Sequence, residues 1–233
     1  MRRTVLGILV LAPMALVGSA EDQIGGEQVS NDETCGYDSL MPAMEAAVPA
    51  DATVQMTLEM AGADQEIAMD AAIAYTPGGV EMDMTFRGPE EEFALIVVEN
   101  RVFISDSTSG GTYEELDAPD PAFPALRSQA ESMDIASEFA AWNAGLEKVE
   151  QVGEKEIDGE RVCHYSVTVD AADAAEAQGE PLPQGMPETI TYELYLTAND
   201  LMRRATFEMG GIEAEMNATN WNEPVDNKAP SGN

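Results

Sequence analysis

The stretch GGVEMDMTFRG, from Gly78 to Gly88, alternates apolar and polar side chains along its middle. Its apolar positions are Val80, Met82, Met84 and Phe86. An alternation with a period of two residues is typical of a β-strand that has one buried face and one face in water. The buried face carries methionine at two positions where a rigid core would carry branched side chains. The question is what these methionines pack against.

Ten further segments show strand patterns, and short turn sequences separate many of them. Gly62-Ala63-Asp64 joins the first two predicted strands, and Asp158-Gly159 supplies the positive φ angles of a type I′ hairpin turn. The other predicted strands cover residues 53–60, 65–75, 92–98, 101–105, 113–116, 149–157, 162–170, 188–197, 201–209 and 212–221. Consecutive hairpins predict an antiparallel meander of about eleven strands, which curls when it is this wide.

Three segments have helical patterns. The first, Tyr37–Val48, gathers its apolar residues on one side and ends before a proline. The second, Ala125–Leu146, follows a proline-rich segment, and the third is an alanine-rich turn at the start of Ala171–Pro187. Helices that cover one face of an antiparallel sheet give an α+β fold class. The other face of the sheet is predicted to be exposed to water throughout.

The chain is strongly acidic. It has 233 residues, and its 44 acidic and 11 basic residues give a formal net charge of -33. A surface of this charge repels nucleic acids and anionic membrane faces, so we expect no nucleic-acid partner. Such a composition suits either a protein that works in high salt or an acidic secreted protein.

The N-terminal residues 1–20 have the pattern of a signal peptide for export. Arg2 and Arg3 form a basic region, and Thr4–Val17 is an apolar run of about fourteen residues, which is short for a membrane span. Cleavage after Ala20 would release a soluble protein. The start of the sequence also bears a weak likeness to a twin-arginine signal.

The same region contains a lipobox-like position that lacks its cysteine. Leu16-Val17-Gly18 is the tripeptide that commonly precedes the lipidated cysteine of a bacterial lipoprotein, but Ser19 follows it here. A serine has no thiol to carry the diacylglycerol. We therefore expect either an unlipidated protein whose membrane contact is transient, or an altered anchoring position.

The remaining sequence is predicted to form a single domain. The polar residues 21–34 read as a flexible tether, residues 35–226 as the folded domain, and residues 227–233 as a disordered tail. Two cysteines, Cys35 and Cys163, remain after the signal. Outside the cytoplasm they can form a disulfide, and the alternative is a pair of buried thiols.

Seven methionines fall on predicted inward strand faces. Methionine adapts to irregular apolar partners, so these residues fit either a plain core or a cavity that receives an acyl chain. The predicted cavity-facing residues are Val54, Met56, Leu58, Met60, Ile67, Met69, Ile73, Val80, Met82, Met84, Phe86, Phe207, Met209 and Met216. A carrier of this kind would need no catalytic group.

The sequence shows no constellation that predicts catalysis. The single histidine, His164, is next to Cys163 in a predicted strand, and adjacent strand residues point to opposite faces. There is no nucleophile-elbow motif, no phosphate-binding loop, no dinucleotide fingerprint and no EF-hand spacing. We therefore expect neither an enzyme nor a cofactor or bound metal.

The second half of the chain, about residues 150–226, resembles the LppX/LprAFG family of actinobacterial envelope lipoproteins. The segments that carry the resemblance are 152–154 (VGE), 157–159 (IDG), 164–170 (HYSVTVD), 187–194 (PETITYEL), 201–204 (LMRR) and 220–225 (NWNEPV). Two departures are Ser19 in place of the lipidated cysteine and Asn222 in place of an expected glycine.

The resemblance implies a LolA-like fold, which is a curved antiparallel half-barrel with helices packed on its concave face around a hydrophobic cavity. It also implies an exported, non-catalytic carrier that binds lipids or acylated glycolipids in the cell envelope, at the outer face of the cytoplasmic membrane if it is anchored. An envelope transporter is a further partner consistent with this role. The alternative is an envelope sensor or protein-interaction module that uses the same fold without a lipid.

Overall fold

The computed structural model describes residues 35, 40–62, 65–76, 79–89, 92–106, 109, 111–116, 141–177, 182 and 186–230. The predicted signal peptide, Ser19 and the tether lie outside the described residues. So do the predicted helix up to residue 140 and the last three residues of the chain.

Within the described residues, eleven strands form one antiparallel sheet. The strands are β1 (Thr53–Gly62), β2 (Gln65–Thr76), β3 (Gly79–Arg87), β4 (Glu92–Val98), β5 (Arg101–Asp106), β6 (Glu114–Leu116), β7 (Leu146–Ile157), β8 (Glu160–Asp170), β9 (Thr189–Leu196), β10 (Met202–Met209) and β11 (Ile212–Thr219). Their order in the sheet is β6-β5-β4-β3-β2-β1-β11-β10-β9-β8-β7. Two meanders therefore meet where the first strand pairs with the last.

The strand register gives the sheet one apolar face. Met84 lies opposite Ala71 and Leu95, and Met56 lies opposite Ala71 and Ala218. These residues belong to one continuous hydrophobic cluster. The sheet is open and curved, and the cluster fills its concave side, so the predicted α+β half-barrel is confirmed.

The helices lie on the concave side. Helix α1 (Leu40–Ala47) buries Leu40, Met41 and Met44 in the same cluster as the strand residues. Residues 141–145 are helical and lead directly into β7, and Trp142 packs into the cluster as well. Helix α2 (Ala171–Ala177) follows β8 without a loop.

The two ends of the sheet differ. The β1–β2, β3–β4 and β10–β11 hairpins and the β8–α2–β9 connection lie at one end, which we call the open end. The β2–β3, β4–β5, β7–β8 and β9–β10 turns lie at the opposite, closed end. In the β7–β8 turn Asp158 and Gly159 both have positive φ, of 52° and 85°, as the type I′ prediction requires.

The outer face is not wet throughout, and this prediction was wrong. Ile96, Val98 and Phe103 point to the outer face, where they are buried and pack with Tyr113 and Ala229. β4 is apolar on both faces because the C-terminal segment covers its outer side.

The predicted disordered tail also differs from the structure where it is described. Asn227 donates from Nδ2 to the carbonyl oxygens of Ala72 at 3.3 Å and Glu81 at 3.1 Å. The chain before it is held by Thr53, whose carbonyl oxygen accepts from the Asn222 amide at 2.8 Å. Backbone carbonyl groups of β2 and β3 therefore hold Asn227, the first residue of the segment that the sequence pattern assigned to a tail.

Cys35 and Cys163 form a disulfide, with their Cα atoms 5.6 Å apart. Cys163 lies on β8 opposite Leu196, and Gln151 of β7 donates from Nε2 to the carbonyl oxygen of Cys35 at 3.2 Å. Only residues 36–39 separate Cys35 from α1. The disulfide therefore fixes the start of α1 to the β7–β9 part of the sheet.

Gly145 is needed where the helical residues 141–145 meet β8. A methyl group on Gly145 would clash with the carbonyl oxygen of Asp170 and lie 2.8 Å from Cγ1 of Val169 and 3.2 Å from Cβ of Ala174. A backbone carbonyl cannot move aside as a flexible side chain can. The helical residues 141–145 can therefore pack this closely against β8 and α2 only because residue 145 has no side chain.

Gly145→Ala is expected to lower the free energy of unfolding by about 2 kcal/mol, because it overpacks a tight backbone contact. Chemical denaturation of both proteins measures this. Gly62→Ala is the matched control, since its methyl group would lie 3.0 Å from the side-chain Cγ1 of Ile212 and no closer than 3.7 Å to a backbone atom. Equal losses in the two variants would contradict the assigned contact.

Candidate lipid-binding face

All fourteen residues predicted to face a cavity lie on the concave face of the sheet. Their degree of burial separates them into two groups. Buried are Val54, Met56, Leu58, Met60, Ile73, Met82, Met84, Phe207, Met209 and Met216. Half-buried are Ile67, Met69, Val80 and Phe86. The buried group is packed by the protein's own side chains, so the candidate surface is smaller than the predicted set.

The closed half of the concave face is filled. Val54, Ile73 and Met82 lie side by side on β1, β2 and β3, and each has 0 % of its surface exposed. They share a cluster with Met41 and Met44 of α1. Here the methionines serve as core side chains, which is the plainer of the two roles that the sequence left open.

Toward the open end several apolar side chains of the concave face are only half-buried. Five half-buried residues define what we call the open-end patch, namely Ile67, Met69, Phe86, Phe93 and Tyr192. Met69, Phe86 and Phe93 are consecutive cross-strand neighbours, and the two phenylalanine rings stack with centroids 4.9 Å apart. The patch is therefore a continuous apolar surface across β2, β3 and β4.

An aromatic row links the patch to the helices. The Tyr192 ring lies 4.6 Å from that of Trp142 and 5.0 Å from that of Phe207. Ala214 pairs with both Phe207 and Met60, and all three side chains are buried on the concave face. Large aromatic rings beside a small residue form a surface against which a flexible hydrocarbon chain can pack.

Sequence reasoning missed two members of the patch. Phe93 lies in β4, where nearly every residue is apolar, so alternation could not tell its two faces apart. Tyr192 lies in β9 among other large side chains. The register shows both positions, because Phe93 pairs with Phe86 and Tyr192 pairs with Phe207.

A hollow of about 680 Å³ is lined mainly by outward-facing residues of the sheet, and Met60, Ile67 and Phe207 of the predicted cavity set also border it. Its polar lining includes the carboxylates of Glu59, Glu66, Glu193, Glu208, Glu213 and Glu215. Glu59 pairs directly with Glu215, and Glu208 with Glu213, so like charges face each other across the strands. No group of three metal-ligating side chains suited to a metal ion is found among the described residues.

His164 also lies on the outer face, at the other end of this acidic surface. Its Nε2 atom is 2.5 Å from Oε2 of Glu193, and Ser166 donates from Oγ to Oε1 of the same carboxylate at 2.9 Å. The imidazole stacks on the Tyr195 ring with centroids 4.5 Å apart. A nucleophilic triad needs the histidine to accept the serine proton. Here both groups bind one carboxylate instead, which joins β8 to β9.

The Asp200 carboxyl lies at the closed end, away from the patch. Partial burial raises the pKa of Asp200 above its ordinary value. The pKa of the Tyr165 hydroxyl is raised by burial and, to a smaller extent, by the negative charge of Asp200. Because the folded state favours protonated Asp200, this group stabilises the fold below its unfolded pKa, and the contribution is lost as pH rises through its folded pKa.

Asp200→Asn is therefore expected to raise the melting temperature at pH 7.5, with a gain that shrinks as pH falls to 4.5. Asparagine suits the positive φ of 59° at this position. Asp158→Asn is the matched control, because Asp158 has a φ of 52° but pairs with Arg203 at 2.6 Å. Differential scanning fluorimetry should show a loss for the control, and a loss in both would contradict the account.

No helix in the described part of the chain is long and apolar enough to cross a membrane.

Two solved structures share this fold over most of their length. LprF from Mycobacterium bovis aligns with a TM-score of 0.63 and 17% identity, over 83% of this chain and 95% of that one. The lipoprotein LppX from Mycobacterium tuberculosis aligns with a TM-score of 0.56 and 14% identity, over 82% and 98%. No protein-family model and no curated protein matches the chain. The similarity confirms the half-barrel that the sequence resemblance implied.

Proposed function

We propose that this protein is an exported, non-catalytic carrier that binds the acyl chains of a lipid or acylated glycolipid in the cell envelope. The observation that carries the proposal is the open-end patch, a half-buried apolar surface on the concave face of a fold shared with LprF and LppX. The signal-peptide pattern of residues 1–20 supports export. Because Ser19 has no thiol for a lipid anchor, the protein would contact the membrane only transiently.

The energetics of hydrocarbon transfer fit such a surface. Each methylene moved out of water contributes roughly 0.8 kcal/mol, so one long acyl chain contributes on the order of 10 kcal/mol without a directed hydrogen bond. Met69 can adjust its shape to a disordered chain, and Phe86 and Phe93 supply flat apolar walls. Binding of this kind requires contact area and flexibility, and it requires no catalytic group.

The buried residues define how deep the chain can reach. Val54, Ile73 and Met82 have no exposed surface, so a ligand reaches them only when the side chains packed over them move, which include Met41 and Met44 of α1. The disulfide holds the start of α1 on β8, which opposes that movement. The acyl chain therefore enters at the open end and contacts Ile67, Met69, Phe86, Phe93 and Tyr192 first.

Lipid uptake tests the proposal directly. Donor vesicles of zwitterionic phospholipid that contain a fluorescent diacylglycerol are mixed with the purified protein, and the lipid that elutes with the protein is counted after gel filtration. The expected result is saturation near one lipid per chain. No lipid transfer, together with specific capture of an envelope protein, would favour the protein-interaction module instead.

A further inference from the structure

We infer that the lipid bound at the open end has a head group without negative charge, such as that of a diacylglycerol or a glycosyl diacylglycerol. This inference rests on the proposed function and narrows its ligand class. Two observations support it. Carboxylates surround the open-end patch, and the described bases and helix amides near it already bind carboxylates of the protein.

Acidic side chains occupy the strand ends around the patch. Among the described residues at this end they include Glu66, Glu92, Asp106, Glu188, Glu208 and Glu213. Asp106 pairs directly with Phe93 across β4 and β5, and Glu188 directly precedes β9. Because directly paired residues of neighbouring strands share a face and have Cβ atoms about 5 Å apart, the Asp106 carboxylate lies beside the patch.

The bases near this end already have acidic partners. In the described half of the sheet toward the open end the bases are Arg87 and Lys148. The guanidinium of Arg87 lies 2.6 Å from Asp70, and Lys148 Nζ lies 2.8 Å from Glu150. A phosphate is recognised by unpaired guanidinium or ammonium groups, or by backbone amides that point at it.

The amides at the start of α2 are also occupied. Oδ1 of Asp170 accepts hydrogen bonds from the amides of Ala172 at 2.8 Å and Asp173 at 2.9 Å. The chain's own carboxylate therefore takes the place that an anionic head group would need. Among the described residues, an anion placed at the open end would meet surrounding carboxylates and no unpaired base. An uncharged hydroxyl or sugar head group would not be repelled.

The test compares a fluorescent diacylglycerol with the phosphatidic acid that has the same two acyl chains, titrated into the purified protein. At about 50 mM NaCl the diacylglycerol should bind at least tenfold more tightly, since charges are weakly screened at that ionic strength. At 1 M NaCl the ratio should fall below about threefold. Phosphatidic acid binding as tightly as diacylglycerol at low salt, or a ratio that salt does not change, would overturn the inference.

Charge-neutralising variants locate the effect. Asp106→Asn with Glu188→Gln should strengthen phosphatidic acid binding severalfold and leave diacylglycerol binding unchanged. The matched control, Glu156→Gln with Glu223→Gln, removes the same charge from exposed positions at the closed end. An equal effect of both pairs would overturn the local argument. If neither lipid binds the wild type, the proposed function itself fails, and the inference fails with it.

Discussion

Replacing Phe86 with aspartate should weaken lipid binding at least tenfold, whereas Val80→Asp should bind lipid like the wild type. Both residues are half-buried on the concave face of β3, but Phe86 lies toward the open end and Val80 at the closed end. A carboxylate at position 86 would place a charge against hydrocarbon, where it has no hydrogen-bond partner. A tenfold loss corresponds to about 1.4 kcal/mol of binding free energy.

The two variants form a matched pair because the substitution, the strand and the sheet face are the same. Titration with fluorescent diacylglycerol gives the affinities. Thermal unfolding gives the loss of stability that the introduced charge causes. Both variants should lose a similar amount of stability. Equal weakening of binding in the two, or unchanged binding in Phe86→Asp, would show that the open-end patch is not the lipid contact.

Replacing both cysteines with serine should lower the free energy of unfolding by about 4 kcal/mol. The disulfide joins residues separated by 128 positions, and closing so long a loop removes much conformational freedom from the unfolded chain. Cys163 is also buried, so the serine hydroxyl would need a new hydrogen-bond partner. Chemical denaturation of the oxidised wild type and the double variant measures the difference.

Reduction of the wild type provides the control for the disulfide prediction. The reduced wild type should unfold at nearly the same denaturant concentration as the double variant, because both lack the link between α1 and β8. A double variant as stable as the oxidised protein would contradict the view that the disulfide holds α1 on the sheet.

The faces of several strands could be predicted from the sequence because their two sides differ in polarity. In β1 the residues Val54, Met56, Leu58 and Met60 alternate with polar positions, and all four are buried. The turn at Asp158 was equally predictable, since its positive φ is a local property. Curvature and the LolA-like half-barrel followed from the number of hairpins and from the family resemblance.

Other features depend on contacts that leave no local pattern. β4 is apolar on both faces, so only its register shows that Phe93 points to the concave side and Ile96 to the outer side. The Asn227 side chain binds the carbonyl oxygen of Ala72, 155 positions away. A polar, proline-containing terminus looks like a free tail until the backbone groups that it meets are known.

The candidate site was predicted too broadly for a similar reason. Alternation shows which side chains share a face, but it does not show where helices cover that face. Met56 and Met69 have the same pattern and different surroundings, since Met56 is fully buried and Met69 is half-buried at the open end. Burial therefore reduces a whole strand face to the patch that a ligand can reach.

Native mass spectrometry of the protein purified from its native cells tests the central proposal most directly. The account predicts a species that carries one additional lipid mass, released by organic extraction and depleted in the Phe86→Asp variant but retained in Val80→Asp. Spectra that contain only the bare oxidised polypeptide, from a preparation that also takes up no diacylglycerol from vesicles, would contradict it.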